Sequence, residues 1–337
     1  MIREAIARLV EGRDLSRQEA AAAMEEIMSG RATDAQVAGF VVALRMKGET
    51  VEEIAGCAEV MRRKATRVAA PTPDALDTCG TGGDASHTFN ISTAAALVAA
   101  GAGCCVAKHG NRSVSSASGS ADVFLELGVN IKVGVEVIER CMREAGIGFL
   151  FAPGLHGAMK HAIGPRREMG VRTIFNILGP LTNPAGATRQ LLGVYDTGLL
   201  ETVASVLAAL GSVRCLVVHG DDGLDELTTT TTSRVCELRE GKLHTYAVAP
   251  EDFGLERARL DDLRVASPQE SAEVIRRVLR GERGPCRDIV ILNAGAAIVA
   301  GGKADDLSEG IRLACQAIDS GEAARRLERL AAITAEA

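Results

Sequence analysis

The feature that most constrains this chain is a strand, loop, helix and strand that begin near position 76. Leu76–Cys79 reads as a short strand and is followed by a glycine-rich turn. Ser92–Ala100 reads as a helix that stops at Gly101, and Cys104–Ala107 reads as the next strand. Two strands joined by a helical crossover within about 30 residues run parallel, because the crossover returns the chain to the same end of the sheet. Such sheets are covered on both faces and take ligands outside the carboxyl ends of their strands. Further strands are expected at Leu191–Val194, Arg214–His219 and Asp288–Asn293, with helices at Leu199–Leu210, Pro268–Leu279 and Leu307–Ser320. The expected class is α/β with a mostly parallel central sheet. Thr228–Thr232, a run of β-branched residues, reads as a strand or its flank.

Residues 1–67 have a different texture. Ser16-Arg17-Gln18-Glu19, Thr33-Asp34-Ala35-Gln36 and Thr50-Val51-Glu52-Glu53 are three capping boxes, each followed by a helical pattern: Ala20–Met28, Val37–Met46 and a third running to about Arg63. Phe40, Val41, Leu44 and Met46 give the middle helix more apolar surface than a small bundle needs, so core packing or a second copy must cover it. Pro71-Thr72-Pro73 marks a linker. A small all-helical domain over residues 1–67 and a larger α/β domain over 74–337 are therefore expected, and 337 residues with 47% hydrophobic content can build both cores.

A net charge of −6, with seven Phe, two Tyr and no Trp, argues against nucleic acid as a partner. Nine cysteines without a CxxC pair read as reduced thiols, Met1–Val10 lacks the pattern of a signal peptide, and no run of about 18 apolar residues occurs. A cytoplasmic protein without a membrane partner is expected.

Four segments carry chemistry. Asp77-Thr78-Cys79-Gly80-Thr81-Gly82-Gly83-Asp84 sets three glycines within four positions after the first strand, where backbone amides can turn toward an anion. Asn90-Ile91-Ser92-Thr93 then opens a helix whose free amides favour phosphate, with the Ser92 and Thr93 hydroxyls as donors or metal ligands. Either half alone is explained by a glycine turn or an ordinary helix cap. Gly80–Ala85 also fits the dinucleotide pattern GxGxxA, but the acid that would hold an NAD ribose is replaced by Lys108-His109, which leaves only an NADP reading.

The second segment, Lys108–Ser120, has two cations, several hydroxyls and two glycines at the adjacent strand end, a composition that cradles phosphate. In the third, His219–Glu226, carboxylates at a strand end suit Mg²⁺, and Asp225-Glu226, flanked by Leu224 and Leu227, is less loop-like than Asp221-Asp222. In the fourth, Lys160–Arg167 followed by Arg172–Pro184, one arginine could clamp a carboxylate, and spacing does not choose between Arg166 and Arg167. Lone His156, His161 and His244 read as structural or solvated.

GTGGD at 80–84, NIST at 90–93, KHGNRSVSS at 108–116, GSAD at 119–122, the arginines of GPRRE at 164–168, RTIFNILGPLTNP at 172–184 and the acids of GLDEL at 223–227 together closely resemble the anthranilate phosphoribosyltransferase family of tryptophan biosynthesis. The likeness runs over nearly the whole chain, with Gly157 replacing a frequent proline near the acceptor wall. The resemblance implies a nucleoside-phosphorylase-like architecture in which helices around 165–190 join the helical domain, the active site lies between the domains, and the helical domain forms a homodimer. It implies a phosphoribosyl pyrophosphate (PRPP) site at Gly80, Gly83, Asp84, Thr88, Asn90, Ile91, Ser92, Thr93, Lys108, His109, Gly110, Asn111, Arg112, Ser113, Val114, Ser115, Ser116 and Ser120. It implies Mg²⁺, two ions per subunit, on Ser92, Asp225 and Glu226, and anthranilate at Asn111 and Arg166 with His109 and Gly80 nearby.

The implied reaction moves the phosphoribosyl group to the anthranilate amine and releases pyrophosphate, with Lys108 and Arg166 in electrostatic and positioning roles and no evident base. A pyrimidine nucleoside phosphorylase shares the architecture, but its donor loops differ and it needs no carboxylate clamp. A non-enzymatic nucleic-acid-binding paralogue conflicts with the charge and the scarcity of aromatics.

Overall fold

The structure, a computed structural model, describes residues 1–112 and 119–337. Four helices open the chain: α1 (Ile2–Val10), α2 (Arg17–Met28), α3 (Asp34–Lys47) and α4 (Val51–Lys64). All three capping boxes form. Ser16, Thr33 and Thr50 accept from the amides of Glu19, Gln36 and Glu53, whose side chains accept from the cap amides in return. The Glu53 carboxylate is fully buried because it also accepts from the Leu15 amide at 2.9 Å and from Lys47 Nζ at 3.0 Å. Gly56 is obligatory where α4 meets α2, since a Cβ there would strike the Arg17 carbonyl. Phe40, Val41 and Leu44 are buried inside this layer, whereas Met46 is 84% exposed.

The remainder is built on seven strands: β1 (Leu76–Asp77), β2 (Val106–Gly110), β3 (Ile147–Phe151), β4 (Arg189–Gly193), β5 (Arg214–Gly220), β6 (Ser233–Arg239) and β7 (Lys242–Val248). Their order is β3-β2-β1-β4-β5-β6-β7. The first five run parallel, and β5, β6 and β7 are antiparallel neighbours. The β6–β7 turn is closed by Glu240 and Gly241 at φ 53° and 74°, the pair of left-handed residues that a two-residue hairpin requires. Thr228–Thr232 flanks β6 rather than forming a strand. β3, β6 and β7 were not foreseen from the sequence.

Helix α5 (Ile91–Gly101) and the helix Pro285–Ala300 cover one face of the sheet, packing on Leu76, Val106, Leu191, Leu216 and Val218. On the other face Leu192, Val194, Cys215 and Val217 join one continuous core with α1–α4, Ala162 and Ile174–Leu181. The α4 residue Arg62 donates from Nε to the Leu181 carbonyl at 2.7 Å.

One expected element is corrected. Asp288–Asn293 is not a strand and Asn293-Ala294-Gly295 is not a turn; both lie inside the helix Pro285–Ala300. That helix is buried from Ile289 through Ala300, so no polar stripe marks the 3.6-residue period. Its one amide side chain, Asn293, donates to the Leu227 carbonyl at 2.7 Å and accepts from the Leu227 amide at 2.9 Å. The helix thereby fixes the segment next to Asp225 and Glu226. All nine cysteines are free, and no helix among the described residues is long and apolar enough to cross a membrane.

Candidate active site

The carboxyl ends of β1, β2, β4 and β5 converge on one rim. Beyond β1, Thr81 donates its amide to the Gly193 carbonyl at 2.8 Å, and Gly82 donates its amide to Asp225 Oδ2 at 2.7 Å. Gly193, the last residue of β4, has no room for a side chain because the Asp225 carbonyl occupies the place of a Cβ. The loop continues with Gly82, Gly83, Ala85 and His87 all at positive φ, between 55° and 82°. For Ala85 and His87 this conformation costs on the order of 1 kcal/mol each, strain of the kind that collects at ligand-binding loops. Arg172 holds the loop from outside, donating to the Gly83 carbonyl while its guanidinium lies 4.2 Å from the Tyr195 ring centre.

On the α5 side of the rim the groups are charged. Asn90 caps α5 by accepting from the Thr93 amide at 3.1 Å and the Ser92 hydroxyl at 3.3 Å. The Ser92 amide favours the charged form of the Glu226 carboxylate. Lys108 is buried, and its Nζ donates to the Thr78 carbonyl at 3.2 Å, Thr78 Oγ1 at 3.0 Å and Ser92 Oγ at 3.2 Å. Burial pulls its pKa down, against the pull of Asp77, Glu226 and Asp225. Burial raises Asp225 to about 7, with the Asp84 charge adding to it, and raises Glu226 well above the ordinary range, with Asp225 adding to it. Three interacting carboxylates against one ammonium form an oxygen-only set that could hold a hard divalent cation. Ser92 lies at this cluster, but its hydroxyl is engaged by Lys108 and Asn90.

The other side of the rim faces the helical layer and is mostly uncharged. His109 and His156 place their Nε2 atoms 3.2 Å apart. Burial, then the neighbouring His156, lowers His109 to about 3, and burial lowers His156 to about 4, so both imidazoles are neutral. Arg166 is half-buried with its guanidinium 5.0 Å from the Phe175 ring centre, and among the described residues it has no ion-pair partner. Arg167 is exposed. Asp77, Cys79 and His109 have potential ligand atoms within 4.8 Å of one another. The Asp77 oxygens already accept from the His109 amide and the Asn183 side chain, so these residues are a structural knot rather than a metal centre.

The remaining expected site residues divide. Asn111 is exposed; its carbonyl accepts from Ser120 Oγ at 3.4 Å, and its side chain accepts from the Arg112 amide at 2.7 Å. Arg112 pairs with Asp122 at 3.0 Å. Gly110 packs against Ser120 and Phe149 with no room for a Cβ. Thr88 meets Ser86 Oγ at 3.4 Å, and Ser86 in turn donates to Asp84 at 2.6 Å. Ile91 belongs to the core, and the buried Thr93 hydroxyl has no hydrogen-bond partner among the described residues. Ser113, Val114, Ser115 and Ser116 lie outside the described residues.

Residues 72–324 match the glycosyl transferase family a/b domain, and residues 3–65 match the helical bundle domain of the same family. An anthranilate phosphoribosyltransferase from Desulfosudis oleivorans is 55% identical over 335 residues, covering 99% of both chains. The crystal structure of the enzyme of that name from Thermus thermophilus superposes with a TM-score of 0.93 at 45% identity, covering 98% of this chain and 99% of that one. The chain belongs to the anthranilate phosphoribosyltransferase family. The yeast member in complex with PRPP and Mg superposes with a TM-score of 0.90 at 30% identity, covering 100% of this chain and 98% of that one. The helical domain, the larger α/β domain and the mostly parallel sheet are those of this family.

Within the family fold, the contacts of several rim residues were not legible, although Thr78, Arg172 and Asn183 lie in segments that the sequence singled out. Thr78, Arg172, Tyr195, Asn183 and Asn293 work through contacts with distant parts of the chain. His156, read as structural or solvated, is buried and bonded to His109. Only its position a few residues before Lys160-His161 hinted at a place near the acceptor segment.

Proposed function

We propose that the two sides of the rim divide the work of the family's reaction, in which the phosphoribosyl group of PRPP passes to the amine of anthranilate and pyrophosphate leaves, a step of L-tryptophan biosynthesis. The observation that carries this reading is Lys108. A buried ammonium at the end of β2 touches the first turn of α5 and faces Asp225 and Glu226 across it. On that side the Gly80–Asp84 loop, Thr88, Asn90–Thr93, Lys108–Ser116 and Ser120 bind the donor. The carboxylates of Asp225 and Glu226, with Asp84 and the Ser92 hydroxyl beside them, fit Mg²⁺. Two ions per subunit, the number that the resemblance implies, is our reading. Bound there, Mg²⁺ supplies positive charge for the departing pyrophosphate.

On the other side Arg166, stacked on Phe175 and without an ion-pair partner among the described residues, takes the anthranilate carboxylate, with Asn111, His109 and Gly80 nearby. The amine nitrogen bonds to ribose C1 as the C1–O bond breaks, the electron pair leaves with pyrophosphate, and the nitrogen then gives up one proton to the released pyrophosphate or to water. Positive charge builds on the ribose in between, as in other glycosyl transfers. An aromatic amine is already neutral at pH 7, so positioning and electrostatics carry the rate and no strong base is needed. The neutral His109–His156 pair adds no charge next to the forming bond.

We further propose a cytoplasmic homodimer through the helical domain. Nine free thiols suit a reducing compartment. Met46 and Val171, 84% and 59% exposed, line a cavity of about 370 Å³ with Val42 and Arg45, an apolar surface that a second copy would cover. A light-scattering mass of a single chain contradicts the dimer.

The direct test mixes protein, Mg²⁺, PRPP and anthranilate and follows the loss of anthranilate fluorescence. Decay should require every component and should nearly vanish in Glu226→Gln. A wild-type rate in that variant at saturating Mg²⁺ removes the carboxylates from the reaction.

A further inference from the structure

We infer that Asp77 is a positioning residue for the acceptor half of the site, acting through Asn183 and the main chain of His109. The inference rests on the assignment of anthranilate to the Arg166 side. Asp77 is fully buried at the end of β1. One carboxylate oxygen accepts from the His109 amide at 3.0 Å, and the other accepts from Asn183 Nδ2 at 2.7 Å. Asn183 also donates to the Ala107 carbonyl at 2.8 Å and accepts from the Ala185 amide at 2.8 Å. A single carboxylate thus ties β1 and β2 to the Gly179–Ala185 segment. Gln190, which pairs with Asp77 in the β1–β4 register, adds a parallel tie by donating to the Pro180 carbonyl at 2.9 Å.

Strand alternation keeps this knot apart from the donor machinery. Neighbouring residues of a strand point to opposite faces. Asp77, Ala107 and His109 share the face toward the helical layer, whereas Thr78 and Lys108 share the face toward α5, where Lys108 bonds Thr78 and Ser92. Consecutive residues of one chain segment therefore brace opposite halves of the rim, Asp77 the acceptor half and Thr78 the donor half. The Asp77 oxygens face N–H donors on both sides, so an amide in its place turns an NH₂ group against one of them and leaves that donor unpaired. The loss falls on the seating of His109 and of the Gly179–Ala185 segment, not on Lys108.

The test is steady-state kinetics of Asp77→Asn with each substrate varied in turn. The anthranilate KM should rise about tenfold, the equivalent of one lost buried hydrogen bond, while the PRPP KM moves less than about twofold. Thr78→Val should show the opposite split. A merely destabilised core would weaken both substrates alike.

Should Asp77→Asn fail to fold, Asn183→Ala, which leaves Asp77 bonded to the His109 amide, must give the same anthranilate-selective effect. Equal losses on both substrates or an unchanged anthranilate KM overturns the inference. Arg166→Ala run alongside separates the two levels. If it leaves the anthranilate KM unchanged, the acceptor assignment is wrong; if it raises that KM and Asp77→Asn does not, the positioning role alone is wrong.

Discussion

The two sides of the rim are furnished in opposite ways. Toward α5 the strand ends carry formal charges, with Lys108 buried among Asp225, Glu226 and Asp84. Toward the helical layer the polar groups are neutral imidazoles and amides, or a carboxylate held by N–H donors, and Arg166 carries a half-buried charge with no ion-pair partner among the described residues. The first arrangement is costly in the free protein: crowded carboxylates in a low dielectric raise one another's proton affinity. On the proposed assignment that cost is relieved when cations and the phosphates of the donor arrive, which would make this side an electrostatic receptor. The second arrangement holds little charge and offers shape and one cation, which on the proposed assignment suits a neutral amine carrying a carboxylate. On the proposed assignment, the difference tells where each substrate's binding energy originates.

The comparison breaks most readily at Lys108. Lys108→Met keeps the length of the side chain and removes the only buried cation that bridges Thr78 and Ser92. Loss of one preorganised charge aimed at developing charge costs about 10²–10³ in rate. A comparable fall in kcat/KM for PRPP is expected, with little change in the anthranilate KM. A fall below tenfold would place the electrostatic work elsewhere.

The next largest effect belongs to the other side. A charge-assisted bond to a carboxylate contributes about 1.5–3 kcal/mol, so Arg166→Ala should raise the anthranilate KM about 10- to 100-fold and leave kcat nearly intact. Arg167, one residue on but exposed, should shift it less than twofold when replaced by alanine. Equal effects at the two positions would show that general positive potential, and not one guanidinium seated on Phe175, captures the acid.

What could be read from the sequence follows the same division. The glycine-rich loop, the capped start of α5 and the acids after β5 announce themselves because their chemistry is local: small residues, caps and charges within a few positions. The three capping boxes of α2, α3 and α4 were legible for the same reason. The acceptor side is assembled from long-range pairs, and neither residue of the Asp77–Asn183 bond, 106 positions apart, signals the other. Burial of Arg166 rather than Arg167 depends on which face of a short helix meets Phe175. Ile147–Phe151 passed unnoticed because a five-residue apolar run fits strand or helix equally, and Asp288–Asn293 misled in the opposite direction, being part of a helix with no polar face.

The smallest effect concerns protons rather than turnover. His109 and His156 titrate near 3 and 4 in the folded chain, below the value of about 6.5 of an unfolded histidine. The unfolded chain therefore takes up their protons first, and the stability they contribute is complete above pH 6.5 and lost as the pH falls. Asp77 has the opposite sign: burial lifts it to about 6 from 3.8, so the folded chain holds the extra proton between those values and gains stability as the pH falls through them. Between pH 6 and pH 4 two losses oppose one gain, leaving a net loss of about 1.4 kcal/mol per pH unit from this cluster. His156→Gln removes one loss and should bring the cluster close to balance. Thermal midpoints measured every half unit from pH 7 to pH 4 should fall more steeply in the wild type than in the variant, because all other titrating groups are common to both. Parallel curves would mean that the imidazole pair is hydrated and open to protons in the folded chain. The acceptor side would then not be the uncharged wall that distinguishes it from the Lys108 side.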